Sequence, residues 1–389
     1  MLGLTLEGGG ARGAFQMGAI KALYDEGYTF DGVSGTSIGA LNGAAIVQGD
    51  FELAYNLWKN MDTSHLFDVD HISLQSFKNK KIDKKVLRQF YSQIKDVLRN
   101  KGLDTKNITD ILDSAIVEEK IRNSNMDFGI VTVSITDLKP LRIYKEDIPK
   151  GKMTKYLMAS ANLPVFRIEP LEGKYYLDGG LYDNCPISML VEKGYKNIIA
   201  IRTTSLGLLR KIDRSVNITY ITPSKRLGNL LNFDNKLINE YLRMGYCDAM
   251  RMMKKVKGHK YYLVNSYSQE ICLSSLMIIP DESINEIGTA MRFDKIEAQR
   301  MLFEKILPSL SRKLGLNSYS SYEQIVLGIL ERLARNRCVE KYKIWDFEDF
   351  IHEIKNNNID KSMDNYNEKV FEIMGKEIIK AFDIIIQNQ

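Results

Sequence analysis

Residues 2–13 read Leu2-Gly3-Leu4-Thr5-Leu6-Glu7-Gly8-Gly9-Gly10-Ala11-Arg12-Gly13. In these residues a short apolar run of strand length leads directly into a glycine loop. The next segment, Ala14–Glu26, places Phe15, Ala19 and Leu23 at helical spacing and ends near Gly27. A strand, a glycine loop and a helix in this order predict the start of a β-α-β unit.

The same alternation continues along the chain. Phe30–Gly35 is predicted as a second strand and Ile38–Val47 as a helix of small residues. Later strands are predicted at Phe128–Thr136, Leu141–Tyr144, Tyr175–Leu177, Ile198–Arg202, Ile218–Ile221, Tyr261–Val264 and Leu276–Ile279. This alternation predicts an α/β fold whose mostly parallel central sheet is sandwiched by helices.

The length of 389 residues allows two domains. We expect a catalytic domain over 1–280 and a helical C-terminal region over 281–389, in which we find no readable motif. Within the first, residues 51–125 show helical patterns without convincing strands, and are predicted to form a lid or insert. A basic run there could attract anionic lipid headgroups or form a solvated helix face; it comprises Lys78, Lys80, Lys81, Lys84, Lys85 and Arg88.

Composition narrows the class of protein. Hydrophobic residues make up 44% and charged residues 26%, as in ordinary globular proteins. The four cysteines are scattered without a CxxC pair, so we expect neither a zinc site nor a disulfide framework, and a cytoplasmic location fits best. We also expect no signal peptide and no transmembrane helix. The net charge of +5 is modest, and we expect no nucleic-acid partner.

The glycine loop is suited to an anion. Glycines let backbone N–H groups turn toward a ligand, and the following helix N-terminus adds partial positive charge. The anion could be a phosphate or a developing oxyanion. Gly8, Gly10 and Gly13 also satisfy GxGxxG, with Asp31 at about the distance of a ribose-binding acid, but this dinucleotide signal is weak on its own. We favour the oxyanion role.

A second motif, Gly35-Thr36-Ser37-Ile38-Gly39, has the GxSxG pattern at a predicted strand-to-helix junction. Such a sharp turn exposes a strained serine, with Gly35 and Gly39 leaving room for its neighbours. Ser37 is therefore the candidate nucleophile.

A serine nucleophile needs a base within hydrogen-bond reach. The four histidines are His65, His71, His259 and His352, and none follows a plausible core strand. Asp178 follows the predicted strand Tyr175–Leu177, at the kind of strand end where catalytic groups gather in α/β sheets. Alone, Asp178-Gly179-Gly180 is also a strong hairpin-turn signal.

The three motifs in this order resemble the patatin-like phospholipases. Two further segments match that family, Ala159–Phe166 before the aspartate strand and Asp183–Pro186 after it. The resemblance covers roughly residues 1–260. The loop opens with Glu7 where many members have aspartate, and Val165 stands where glycine is common, which bears on the subgroup more than on the chemistry.

The resemblance implies a Ser-Asp dyad that hydrolyses acyl esters of glycerolipids, such as phospholipids or lysophospholipids. Ser37 would carry the acyl group, and Asp178 would take the serine proton and later activate water. The oxyanion hole would be the loop Gly8-Gly9-Gly10-Ala11-Arg12-Gly13, with N–H groups of Gly9, Gly10 and Ala11 as donors and Arg12 supporting the loop. Neither metal nor cofactor is required, and contact with a membrane would be peripheral.

Two alternatives stay open at this point. One is a non-catalytic lipid-binding protein of the same fold. The other, less favoured, is a Rossmann-type nucleotide-binding enzyme, which would leave Ser37 and Asp178 without a role.

Overall fold

The computed structural model describes residues 1–66, 103–205, 207–212, 215–317, 319–358 and 366–387. The chain divides into two compact units, Met1–Met252 and Met253–Gln389. The basic run between Lys78 and Arg88, and His71, lie outside the described residues. The division after Met252 comes earlier than the predicted boundary at 280. Residues 253–280 supply a strand and a helix that pack within the second unit.

A seven-stranded sheet forms the centre of the described part of the first unit. Its strands are β1 Leu2–Leu6, β2 Gly32–Thr36, β3 Asp127–Ser134, β4 Lys139–Tyr144, β5 Tyr176–Asp178, β6 Asn197–Ile201 and β7 Asn217–Ile221. The order across the sheet is β4-β3-β2-β1-β6-β7, with β5 also paired to β3. Strands β1, β2, β3, β6 and β7 are parallel, whereas β4 and β5 run antiparallel to β3.

Helices flank this sheet. They are α1 Gly13–Asp25, α2 Ile38–Val47, α3 Phe51–Lys59, α4 Thr63–Leu66, α5 Lys106–Ala115, α6 Glu118–Asn123, α7 Met153–Ala161, α8 Ile187–Glu192 and α9 Asn235–Met252. Short 3-10 turns occupy Gly10–Arg12, Lys145–Asp147 and Gly179–Leu181. The predicted α/β class with a mostly parallel central sheet is confirmed.

The central strands are buried because helices cover the sheet. Every residue of β2 is buried, as is all of β1 after Leu2, which is the pattern of a parallel sheet covered on both faces. Helix α1 packs closely along α9, since a side chain at Gly18 would collide with the backbone of Leu242. The sheet thus holds the carboxyl ends of β1 and β2, where the glycine loop and GxSxG begin, in fixed positions.

The second unit is mostly helical, as predicted for 281–389. Its helices are α10 Gln269–Met277, α11 Asp281–Ala290, α12 Ala298–Arg300, α13 Leu307–Leu314 after a π-helical segment Met301–Ile306, α14 Tyr322–Asn336, α15 Phe347–Asn356 and α16 Tyr366–Gln387. A short parallel pair, β8 Tyr262–Leu263 and β9 Ile344–Trp345, joins them. One apolar cluster runs through the unit, with Phe350, Phe371 and Phe382 deeply buried.

The predicted strand Leu276–Ile279 is wrong. Its first two residues end helix α10, which begins after Ser268, whose hydroxyl accepts a hydrogen bond from the Ile271 N–H. Four apolar residues in a row do not distinguish a strand from the end of a buried helix. The capping serine upstream favours the helix.

Candidate active site

The turn between β2 and α2 places Ser37 in a strained backbone conformation, with φ 58° and ψ −131°. Non-glycine residues rarely adopt positive φ, and such strain concentrates at active sites. A side chain at Gly35 would collide with the Gly39 backbone, and one at Gly39 would collide with the Leu6 carbonyl. Only glycine fits at these two positions, so the GxSxG pattern is a packing requirement of this turn.

Ser160, at the end of α7, holds the turn from the other side. The Ser37 N–H donates to the Ser160 hydroxyl oxygen at 3.0 Å, and that hydroxyl donates to the Val131 carbonyl at 2.7 Å. Ser160 is fully buried. Sequence reasoning assigned it no role, although it lies in the family-like segment Ala159–Phe166. The presence of a serine within that segment was the one sequence feature that could have pointed to this role.

Asp178 ends β5 and lies beside the nucleophile. Its carboxylate accepts hydrogen bonds from the Ser37 hydroxyl and from the Gly180 N–H, the latter at 2.7 Å. Only 5% of Asp178 and 6% of Ser37 is exposed. Burial raises the pKa of Asp178 to about 6, with the two hydrogen bonds acting in the opposite direction. The structure therefore brings together the two residues that the sequence singled out 141 positions apart.

The glycine loop has fewer free donors than the sequence suggested. The Gly8 N–H donates to the Asn184 carbonyl at 3.0 Å, and the Ala11 N–H to the Leu230 carbonyl at 2.7 Å. The Arg12 and Gly13 N–H groups bond within the loop itself. Among the residues that the structure describes, the N–H groups of Gly9 and Gly10 have no acceptor. Of the three expected donors, Gly9, Gly10 and Ala11, only the two glycines have an available N–H, because the Ala11 N–H already donates to the Leu230 carbonyl.

The charged residues of the loop act as scaffold. Glu7 is fully buried and pairs with Arg202 at 2.9 Å, and its carboxylate also accepts the Thr203 and Thr204 N–H groups. Arg12 donates to the Gly228 carbonyl at 2.9 Å. Each side chain fixes the loop to a neighbouring segment.

The dinucleotide alternative loses its geometric basis. Asp31 lies just before β2, at its amino end, and accepts a hydrogen bond from the Leu2 N–H at 2.6 Å. A ribose-binding acid in a Rossmann fold lies instead near the carboxyl end of the second strand. Asp31 and the glycine loop are thus at opposite edges of the sheet.

An apolar cavity of about 140 Å³ begins at Ser37. Ser37 and Gly10 line it together with side chains from α2, α3 and α5, most of them aliphatic. A predominantly apolar lining of this kind suits an apolar ligand. The cavity lies within the first unit, in part along the stretch 51–125 that was predicted as a lid or insert.

Other site types find little support in the described residues. None of the first unit's described side chains is a histidine, and His259 and His352 belong to the second unit. The described residues contain no group of three or more His, Cys, Asp or Glu placed to bind a metal ion. No helix among them is long and apolar enough to cross a bilayer.

Comparison with known proteins agrees with this site. The sequence profile of patatin-like phospholipases matches residues 4–191. Patatin-like phospholipase domain-containing protein ZK370.4 of Caenorhabditis elegans is 24% identical over 273 residues, 67% of this chain and 18% of that protein. Human patatin-like phospholipase domain-containing protein 6 is 27% identical over 276 residues, with the same coverage. Neuropathy target esterase sws of Drosophila melanogaster is 30% identical over 212 residues, 51% of this chain and 13% of that protein.

The chain thus spans less than a fifth of the length of these relatives. The matched range 4–191 contains the glycine loop, the Ser37 turn and Asp178, and it ends within the first unit. Residues 4–191 of this chain are therefore similar to the patatin-like phospholipases, and they include the three motifs that the sequence singled out.

Proposed function

We propose that this chain is a serine acyl hydrolase that cleaves fatty acyl ester bonds of phospholipids or lysophospholipids. The observation that carries this proposal is the hydrogen bond from the Ser37 hydroxyl to the buried Asp178 carboxylate, at one end of an apolar cavity. A nucleophile paired with a base is the requirement for covalent acyl transfer, and the cavity offers space for an acyl chain.

In the first half of the reaction, Asp178 takes the Ser37 proton as the serine oxygen attacks the ester carbonyl carbon. Negative charge develops on the carbonyl oxygen, and the N–H groups of Gly9 and Gly10 would donate to it. One such donor typically lowers the barrier by about 2.7–4 kcal/mol. Collapse of the tetrahedral intermediate breaks the ester bond, and the leaving alcohol takes the proton from Asp178.

In the second half, Asp178 takes a proton from water as the water oxygen attacks the acyl carbonyl carbon. Collapse of this second tetrahedral intermediate breaks the bond to the Ser37 oxygen and releases the fatty acid, and Asp178 returns the proton to the Ser37 oxygen. A pKa of about 6 suits this work. The carboxylate is still largely ionised near neutral pH, yet it is a stronger base than an exposed aspartate. The helix α2 N-terminus beneath Ser37 further stabilises developing negative charge.

The proposed setting is the cytoplasm, with peripheral contact to a membrane that supplies the lipid. The four cysteines, all of them among the described residues, form no disulfide with one another, which suits a reducing compartment. The proposed steps use protein groups and water, without a metal or cofactor.

The test is labelling with a fluorophosphonate probe, followed by mapping of the adduct by mass spectrometry. We expect one adduct, on Ser37, that is absent in Ser37→Ala and forms at least 100-fold more slowly in Asp178→Asn. Ser114→Ala, which removes an exposed hydroxyl on α5, is the matched control and should label like the natural chain. An adduct on another residue, or none from folded protein, would overturn the proposal.

The cavity alone would also suit a non-catalytic lipid-binding protein. That function predicts fatty-acid binding by a folded chain that neither hydrolyses esters nor reacts with the probe. The strained Ser37 backbone favours catalysis, because lipid storage has no use for a nucleophile held in a costly conformation.

A further inference from the structure

The apolar cavity follows the whole length of helix α2. The residues that α2 and its C-cap contribute are Ile38, Leu41, Asn42, Ala45 and Gln48, spaced by three or four along one helix face. Helix α3 and the residue before it contribute a similar stripe from Asp50 to Trp58, and α5 contributes one from Ile108 to Ala115. These three helices form much of the wall of one channel, and residues of α7 and of the loops at Phe166 and Phe233 complete it.

The channel has a catalytic end and a far end. Ser37 immediately precedes α2 and Gln48 immediately follows it. Helix α3 starts after the turn at Gly49 and runs back, since the Trp58 indole donates to Asn42 on α2 at 2.9 Å. Helix α5 ends at the far end, because its last residue, Ala115, accepts a hydrogen bond from Gln48.

The far end is polar, and its polar groups are already hydrogen-bonded to one another. The Gln48 amide donates to Asp50 at 3.0 Å and to the Ala115 carbonyl at 2.8 Å, and its oxygen accepts the Val117 N–H at 3.0 Å. Asp50 in turn pairs with Lys120 at 2.8 Å. An alkyl chain that reached this cluster would have to break hydrogen bonds to go further, which is unfavourable for a buried polar group.

The distance between the two ends of the channel determines how long an alkyl chain it can hold. Ser37 and Gln48 are eleven residues apart along α2, and a rise of about 1.5 Å per residue makes this about 16 Å. An extended alkyl chain advances about 1.25 Å per carbon, given carbon–carbon bonds of about 1.5 Å. The channel therefore accommodates about 12 to 14 carbons.

We infer that the α2 channel measures acyl chain length, with Ala45 and Ala115 as the residues that leave room for the last carbons before the Gln48 cluster. The inference rests on the proposed function and adds the substrate class, acyl groups of about 12 to 14 carbons. Larger side chains at either alanine would shorten the channel from two different helices.

The experiment compares the natural chain with Ala45→Leu and Ala115→Leu across saturated p-nitrophenyl esters of 4 to 18 carbons. Binding of the matching free fatty acids is measured in the Ser37→Ala background. A leucine displaces two or three methylenes, and each is worth about fourfold, because burying a methylene contributes about 0.8 kcal/mol. The kcat/KM ratio of the 14-carbon to the 8-carbon ester should fall at least 15-fold in both variants.

Val117→Leu is the matched control, since Val117 is exposed beside the far end and its side chain does not line the channel. Its length profile should stay that of the natural chain. If hydrolysis proceeds but both leucine variants keep the natural length profile, the channel inference is overturned and the proposed function stands. If fatty-acid binding shows the length dependence while no ester is cleaved, the channel inference stands and the proposed function fails. If neither is observed, both fail.

Discussion

The substitution Asp178→Asn is expected to abolish ester hydrolysis and to stabilise the folded first unit at neutral pH. The pKa of Asp178 is about 6, against an ordinary value of 3.8, because the carboxyl is buried. This difference corresponds to about 3 kcal/mol, at about 1.36 kcal/mol for each factor of ten in proton affinity. The buried, ionised carboxylate therefore lowers the free energy of unfolding of the natural chain considerably.

The pH dependence of this burden has a definite sign. Below pH 3.8 the carboxyl is neutral in both the folded and the unfolded chain, so burial costs little. Between pH 3.8 and 6 the folded chain retains a proton that the unfolded chain has lost, and the free energy of unfolding falls as pH rises. Above pH 6 the full difference of about 3 kcal/mol is present.

Asparagine is neutral at every pH and escapes this loss. The amide oxygen of asparagine can still accept the hydrogen bond from the Gly180 N–H, which is 2.7 Å long in the natural chain. One other hydrogen bond of the carboxylate becomes weaker, which costs about 1 kcal/mol of stability. The variant should therefore be about 2 kcal/mol more stable than the natural chain at pH 7.5, with the advantage disappearing near pH 4. Loss of a general base should lower kcat/KM at least 100-fold, since such bases contribute about 10²–10⁴.

Urea unfolding between pH 4 and 8, followed by circular dichroism, measures the stability, and ester hydrolysis measures the activity. Asp113→Asn removes an exposed carboxylate and is the control, expected to change neither quantity. A variant that is less stable than the natural chain at pH 7.5 would refute the argument from burial. Activity within tenfold of the natural chain would show that the base is elsewhere.

Three further outcomes follow from the same geometry. The kcat/KM for ester hydrolysis should rise with pH through a midpoint near 6, because only ionised Asp178 can take the Ser37 proton; a profile flat from pH 5 to 8 would contradict this. Ser160→Ala should lower the free energy of unfolding by about 2 kcal/mol, because it leaves the Ser37 N–H unpaired, and should lower kcat more than it changes KM. Gly10→Ala should lower kcat at least 100-fold, since Gly10 has φ 54° and a methyl there would collide with the Leu230 carbonyl, displacing a proposed oxyanion donor. Steady-state kinetics and unfolding of each purified variant check the last two.

The sequence was sufficient to predict the sheet and to single out Ser37 and Asp178, because each leaves a local pattern in the sequence. A strand followed by Gly35-Thr36-Ser37-Ile38-Gly39 has few ways to fold, and Asp178 directly follows an apolar run at a strand end. The central strands and α2 were predicted within a few residues of their observed bounds. The error at Leu276–Ile279 occurred where four apolar residues had no periodicity to read.

What the sequence did not provide depends on contacts between distant segments. The Ala11 N–H is not available as a proposed oxyanion donor because it donates to the carbonyl of Leu230, more than two hundred residues further along. The channel end depends on Gln48 meeting Ala115 and Val117. A backbone carbonyl leaves no signature in the identity of its residue, so such partners cannot be predicted from a single sequence.

Strand β3 explains how Ser37 and Asp178, which are far apart in the sequence, lie close enough for the proposed proton transfer. Thr36, next to the nucleophile, pairs with Val131 on β3, and Asp178 on β5 pairs with the adjacent Thr132. Ser160, which fixes the Ser37 N–H, donates to the carbonyl of the same Val131 at 2.7 Å. Val131 and Thr132, two neighbouring residues of one buried strand, therefore set the positions of Ser37, Asp178 and Ser160. An aspartate has a short side chain and cannot bridge a variable distance as a longer residue can, so the proposed Ser37–Asp178 pair depends on this shared strand.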